Sequence, residues 1–153
     1  MITPIQATVV RTPIQPRFSD FDALGHLNNA KYLEYVEVAR VHTFAEILGV
    51  DLQEISAVMG NATISFLRPI RLFENLALET AITDVRERSI DIRINFRVGN
   101  GEDSPRAIVD ARQIIVDARN GKAHPVPKDL TNRITQLIAG DYQHEAVREA
   151  TIL

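Results

Sequence analysis

The residue types best suited to chemistry are concentrated between positions 17 and 40, which read RFSDFDALGHLNNAKYLEYVEVAR. Two aspartates, a glycine, a histidine and two asparagines fall there, at the junction between a predicted strand and a predicted long helix. A helix N-terminus presents unpaired backbone N–H groups and about half a positive charge, so it can stabilise an oxyanion. A carboxylate just before such a helix can attack a carbonyl or take the proton of an attacking water.

Asp22 is the better placed of the two aspartates, and the backbone N–H of Asn29 is the expected oxyanion donor. General-base catalysis contributes on the order of 10² to 10⁴ in rate and an oxyanion donor about 10² to 10³. Together these effects suffice for an activated acyl group such as a thioester. Judged alone, an aspartate near a helix start is most often a turn or cap residue. For Asp20 we expect a structural or solvent-facing role.

The order D-x-D-A-x-G-H-L-N-N-A-x-Y-L-x-Y-x-E-x-A-R resembles the signature of the 4-hydroxybenzoyl-CoA thioesterase-like acyl-CoA thioesterases. It is also similar to a segment of the plant acyl-ACP thioesterases. The positions in register with that segment are Asp22, His26, Asn28, Asn29, Lys31 and Tyr32. Leu24 stands where the plant family has a catalytic asparagine. This departure favours a mechanism carried by Asp22 and the helix N-terminus, with His26 as an auxiliary.

The resemblance implies a hotdog fold and hydrolysis of an acyl-CoA or an acyl-carrier-protein thioester, with no metal and no cofactor. It also implies at least a dimer, with a tetramer left open, and active sites at the subunit interface. The alternatives are a hotdog protein that binds an acyl ligand without turnover and, less favoured, a dehydratase or hydratase. The expected catalytic residues are Asp22, His26 and Asn29, and the expected substrate-binding residues are Gly25, Asn28, Tyr32, Arg68 and Arg88.

Charged residues outside this segment allow more than one interpretation of their role. For the coenzyme tail the plausible contacts are Arg68, Arg71, Arg86, Arg88 and Lys122, because Arg and Lys suit phosphate; each can equally be a solvated charge. Glu37 and Arg40 fall inside the apolar sector of the predicted helix, and their i,i+3 spacing predicts an ion pair. The pair supports the helix or a dimer in one interpretation, and Glu37 lies near the acyl group in the other.

The spacing of apolar residues predicts the helices and strands that position these residues. A long helix is predicted from Asn28 or Asn29 to Leu48, closed by Gly49. Its wide apolar sector suggests that a sheet wraps around it. The residues of this sector are Ala30, Leu33, Val36, Val38, Val41, Phe44, Ala45, Ile47 and Leu48.

Alternating apolar residues predict the strands. The first contains Ile5, Ala7 and Val9, and Pro13 and Pro16 suggest an edge or a bulge in it. Four more are predicted, over 62–66, 76–82, 90–98 and 107–116, and a second helix over about 129–139. The order indicates one α+β domain over 1–153 with its core at about 5–139; the tail, 140–153, is expected to be frayed.

Composition excludes several classes of protein. The chain has no cysteine, which removes disulfides and thiolate chemistry and is compatible with a reducing cytosol. Its net charge is −3 and it lacks a block of Lys and Arg, so nucleic-acid binding is disfavoured. No apolar run approaches a membrane span of roughly 18 residues. A cytoplasmic protein without a membrane partner is predicted.

Overall fold

The computed structural model describes residues 9–47, 49–50, 53, 55–99 and 104–139. The strands are β1 (Val9–Ile14), β2 (Ile55–Phe66), β3 (Leu76–Val85), β4 (Ser89–Val98) and β5 (Ala107–Asp117). The helices are α1 (Asn29–His42), which continues into a π-helical turn over Thr43–Ile47, and α2 (Lys128–Ala139). The predictions for Ile5, Ala7, Leu48 and the tail after residue 139 lie outside the described residues.

The strands form one antiparallel sheet in the order β1-β3-β4-β5-β2. The long helix α1 packs on one face of this sheet, and residues of α2 join the same apolar core. The predicted α+β class is therefore confirmed. Pro13 lies in β1, which is an edge strand, as predicted from its missing N–H.

The strand β2 begins earlier than the sequence predicts. The sequence predicts a strand over 62–66, whereas β2 starts at Ile55 and runs through Gly60. The register against β5 shifts between Met59 and Asn61, which marks a bulge. A Cβ on Gly60 would lie 2.8 Å from Cγ1 of Ile114, so glycine permits close packing here and does not end the strand.

The buried face of α1 also differs from the predicted apolar sector. Leu33, Val38 and Val41 are each about 40% exposed, and Ala30 is exposed as well. Val36 and Phe44 are buried as predicted. The other buried residues of α1 are Tyr32, Tyr35, Ala39, Arg40 and His42. The predicted sector left out the two tyrosines, whose rings are buried because a tyrosine ring is apolar wherever its hydroxyl finds a partner.

Two buried polar side chains on the sheet differ in their hydrogen bonding. The hydroxyl of Thr12 lies 2.7 Å from Nδ1 of the buried His42. Gln113 is fully buried on β5, and within the described part of the chain neither its amide oxygen nor its nitrogen has a partner. Only the first of these groups recovers the hydrogen bonds that it lost with water.

Replacing Gln113 by Met should raise the free energy of unfolding by about 1 kcal/mol, because an unsatisfied amide is removed at nearly constant volume. Thr12→Val should lower it by about 1–3 kcal/mol, because it deprives a buried imidazole of its partner. Urea denaturation of both variants measures the difference. A Gln113→Met protein less stable than the wild type would contradict the expectation.

Candidate active site

Asp22 organises the loop that precedes α1. Its Oδ1 accepts hydrogen bonds from the backbone N–H groups of Leu24 at 2.9 Å and His26 at 3.0 Å. Its own N–H donates to the carbonyl of His26, and its carbonyl accepts from Gly25, whose φ of +75° suits glycine. Its other oxygen, Oδ2, bonds to no described residue. The carboxylate is exposed, so one oxygen holds the turn and the other is available for chemistry.

The start of α1 supplies a backbone donor. Asn28 is the N-cap, and its Oδ1 accepts from the N–H of Ala30 at 3.0 Å. The N–H of Lys31 donates to the carbonyl of Asn28 at 2.9 Å. The N–H of Asn29 has no acceptor among the residues that the structure describes, and Asn29 is exposed. This N–H lies at the positive end of the helix dipole, and its role as the oxyanion donor stays a prediction.

A second loop, over 67–75, holds the Asp22 loop from the side. The N–H of Leu27 donates to the carbonyl of Ile70 at 2.7 Å, and the N–H of Leu72 donates to that of Gly25 at 3.1 Å. His26 forms an isolated β-bridge with Arg71. The half-buried His26 ring makes no hydrogen bond within the described ranges. Gly25 therefore joins the two loops through the hydrogen bonds of its backbone.

Arg106 fixes this second loop. Its guanidinium is almost fully buried and donates to the carbonyl of Pro69 at 2.6 Å and to both carboxylate oxygens of Glu74 at 3.1 Å. Glu74 also accepts from the backbone N–H of Arg71 at 2.8 Å. Sequence reasoning missed this pair, because the two residues are 32 positions apart and leave no local spacing signal.

Asp20 has the structural role that was expected of it. Its buried carboxylate accepts hydrogen bonds from the Tyr35 hydroxyl at 2.5 Å and from the Arg17 N–H at 2.9 Å. Burial works to raise the pKa of Asp20, but these bonds and the Lys31 charge outweigh it and lower the pKa below 3.8. Burial, followed by the bond to Asp20, raises the pKa of the Tyr35 hydroxyl. The pair anchors α1 to the loop.

The lowered pKa of Asp20 makes folding stability depend on pH. A carboxyl with a lower pKa in the folded state stabilises the fold above its ordinary value of 3.8 and loses this effect on acidification. Between about pH 5 and about pH 3 the wild type should therefore lose stability more steeply than Asp20→Asn. Urea midpoints across this range test it. Tyr35→Phe, which removes one hydrogen bond, should fall between the two.

Tyr32 is buried next to the site. Its ring centroid lies 4.9 Å from that of Phe66, edge to face, and 5.0 Å from that of Phe96. Burial raises the pKa of its hydroxyl, against a smaller opposing effect of the Ile70 backbone. The expected role near the acyl group stays a prediction, in which Tyr32 forms an apolar wall.

The two expected arginine contacts lie at opposite ends of the sheet. Arg68 is in the 67–75 loop and donates to the carbonyl of Ser104 at 3.1 Å. Arg88 is in the turn between β3 and β4, beyond Val85. Since β3 runs from Leu76, at the end of the 67–75 loop, to Val85, about nine steps of 3.3 Å place Arg88 roughly 30 Å along the sheet from the loop that holds the Asp22 loop. A single chain thus brings only Arg68 near it.

Glu37 and Arg40 form the predicted ion pair, through Nε at 3.2 Å and through a short contact from the second guanidinium nitrogen. The Arg40 side chain is buried, whereas that of Glu37 is 45% exposed. The carboxylate of Glu37 therefore neutralises the buried guanidinium of Arg40 in the last turn of α1, and part of this carboxylate stays exposed.

Neither a metal site nor a membrane span emerges from the part of the chain described. It contains no group of three or more His, Asp or Glu residues that could hold a metal ion. In the same residues, no helix is both long and apolar enough to cross a bilayer.

A long helix against an antiparallel sheet, with a carboxylate loop at the helix start, defines a protein of the hotdog fold. The chain belongs to the thioesterase-like superfamily, whose family model matches residues 16–134.

Individual proteins agree with this assignment. The chain is 25% identical over 137 residues to the acyl-CoA thioester hydrolase YbgC of Escherichia coli, covering 86% of this chain and 100% of that protein. It is 25% identical over 134 residues to the E. coli long-chain acyl-CoA thioesterase FadM, covering 84% and 99%. A Thermus thermophilus thioesterase, solved with coenzyme A and zinc, superposes with a TM-score of 0.71 at 25% identity, covering 86% and 95%.

Proposed function

We propose that this protein hydrolyses acyl-CoA thioesters to a free acid and coenzyme A. Membership of the thioesterase-like superfamily supports the reaction, and the names of YbgC and FadM support the substrate class. The observation that carries the proposal is that, among the described residues, neither Oδ2 of Asp22 nor the N–H of Asn29 has a hydrogen-bond partner, and both belong to the segment that leads into α1. We infer that the protein acts in the cytoplasm, in keeping with its cysteine-free sequence.

In the proposed mechanism the thioester carbonyl oxygen accepts the hydrogen bond of the Asn29 N–H. Asp22 Oδ2 takes a proton from a water, whose oxygen attacks the carbonyl carbon. The helix N-terminus stabilises the resulting oxyanion, which collapses and breaks the C–S bond. The proton then passes to the leaving thiolate. A direct attack by Asp22, forming an anhydride that water opens, is the alternative.

The other site residues have supporting roles in this proposal. Asn28 caps α1 and thereby aims the Asn29 N–H, while Gly25 connects the loop to its neighbour. His26 assists the carbonyl or the leaving thiol. Arg68 contacts the substrate from the same chain, and Arg88 does so only from a partner subunit.

The experiment is a thiol-release assay over a panel of aliphatic and aromatic acyl-CoA esters of increasing length, with matching acyl-carrier-protein thioesters. Turnover of at least one acyl-CoA supports the proposal. Faster turnover of the carrier-protein esters would change the substrate class. Tight binding without thiol release across the panel would overturn it in favour of an acyl-binding protein.

We also propose that two chains join through the β2 edge and the open face of α1. Among the strands that the structure describes, none pairs with the outer edge of β2, and Val58 and Phe66 on this strand are about half exposed. The exposed Leu33, Val38 and Val41 add an apolar stripe on α1. Unpaired strand edges and apolar stripes of this kind are typical of subunit interfaces.

Sedimentation equilibrium should therefore give at least twice the chain mass. Val41→Lys should shift the population toward monomer and lower the activity, because a charge is placed in the apolar stripe. Val9→Lys, at the opposite edge of the sheet, is the matched control and should leave the mass unchanged. A wild-type protein that sediments as an active monomer would contradict the expected assembly.

A further inference from the structure

A groove of about 590 Å³ lies beside the Asp22 loop, between the end of β1 and the segment that leads into β3. It shares two residues with the site: Leu72, whose N–H donates to Gly25, and Phe21, which forms a β-bridge with Leu27. Its volume falls within the roughly 300–1,000 Å³ typical of small-molecule sites. A substrate bound at Asp22 and Asn29 would therefore have this groove beside it.

Two phenylalanine rings at this groove are unusually exposed. Phe18 is 81% exposed and Phe73 is 92% exposed, and both line the groove. Phe73 has a φ of +70°, a conformation that bulky residues rarely adopt. Two flat apolar surfaces held at the mouth of one cavity suit a planar ring system that can stack on them.

Charged side chains lie in the groove and beside it. Arg11 lines it and forms an ion pair with Glu79 at 3.3 Å. Arg71 immediately precedes Leu72 and is exposed, and its guanidinium makes no ion pair or hydrogen bond in the described ranges. The carboxylate of Glu74, which also lines the groove, is held by Arg106. A ligand with a planar base and phosphate groups matches this combination of rings and cations.

We propose that this groove binds the nucleotide end of coenzyme A, with the adenine on Phe73 and Phe18 and the phosphates near Arg71. The inference rests on the proposed function, because it needs a substrate whose acyl end lies at Asn29. The pantetheine arm then passes over the contact between Gly25 and Leu72. The nucleotide would account for a preference for acyl-CoA over shorter thioesters.

The test compares an acyl-CoA with the same acyl group on pantetheine, which lacks the nucleotide. Wild type should show a KM about tenfold lower for the acyl-CoA, the scale of one base stacked on an aromatic ring. Phe73→Asn removes the ring while tolerating the positive φ. It should raise the KM for acyl-CoA about tenfold, leave kcat unchanged and leave the KM for acyl-pantetheine unchanged. Phe18→Ala should act in the same direction.

Inhibition supplies an independent measurement. Adenosine 3′,5′-bisphosphate should compete with acyl-CoA, and Arg71→Gln should weaken this inhibition several-fold. Arg119→Gln, an exposed arginine in the turn after β5, is the charge control and should not.

Three results would overturn the inference while leaving the proposed function intact. One is equal wild-type KM values for the two thioesters. Another is a Phe73→Asn variant that affects both substrates alike, which would indicate a general effect on the loop. The third is a Phe73→Asn variant with a smaller sedimenting mass, which would assign the rings to an interface between chains. Failure to hydrolyse either thioester would instead reject the proposed function itself.

Discussion

Asp22→Asn is expected to lower kcat by about 10² or more, on the scale of lost general-base catalysis, with the fold intact. The hydrogen bonds around Asp22 make this substitution informative. Because Oδ1 alone accepts from the N–H groups of Leu24 and His26, an asparagine oxygen can keep both bonds. The variant therefore removes the charge at Oδ2 while preserving the turn. A thiol-release assay measures kcat, and thermal unfolding checks the fold.

Asp22→Ala separates the two roles of this side chain. It removes the base and both turn hydrogen bonds, so it should lose activity and also unfold more easily than Asp22→Asn. Asp129→Asn, an exposed aspartate on α2, is the matched control and should retain wild-type activity. An Asp22→Asn protein as active as wild type on its best substrate would remove Asp22 from the mechanism.

Asn29→Pro is expected to lower kcat by about 10² to 10³, the usual effect of removing one oxyanion donor. Proline deletes the backbone N–H and is well tolerated at the first position of a helix. Asn28 has a φ of −63° and a ψ of 134°, which suits a residue before proline. The helix should therefore begin at the same residue, with one donor fewer. Circular dichroism and the denaturation midpoint test that expectation.

Asn29→Ala is the control, because it removes the amide side chain and keeps the N–H. It should retain most of the wild-type kcat, whereas the proline variant should not. Equal activity in the two variants would mean that another group stabilises the oxyanion.

Local signals in the sequence predicted the start of the site well. The asparagines at positions 28 and 29 predicted the N-terminus of the long helix, and α1 begins at Asn29. The alternation of Ile90, Ile92 and Ile94 with charged residues predicted β4, whose apolar residues are buried. These features depend on a few neighbouring residues, so the sequence contains the information directly.

Features that depend on distant contacts could not be predicted. The inward face of α1 is set by Tyr35, whose hydroxyl finds Asp20 across the loop, and periodicity carries no sign of that bond. The early start of β2 was missed because the packing of Gly60 against Ile114 on β5 is a tertiary contact, which no local pattern shows. Whether Arg88 of a partner subunit lies near Asp22 depends on how subunits meet, which a single chain does not determine.

The two hydrogen bonds between the Arg106 guanidinium and the Glu74 carboxylate bear on which step limits the rate of turnover. The Arg106 side chain is nearly buried and holds the 67–75 loop through hydrogen bonds to Glu74 and to the carbonyl of Pro69. The wall of the site is thus preorganised, and little conformational entropy is lost when a substrate arrives. Turnover should accordingly not wait for a lid to close, and release of products or the chemical step itself should set the rate.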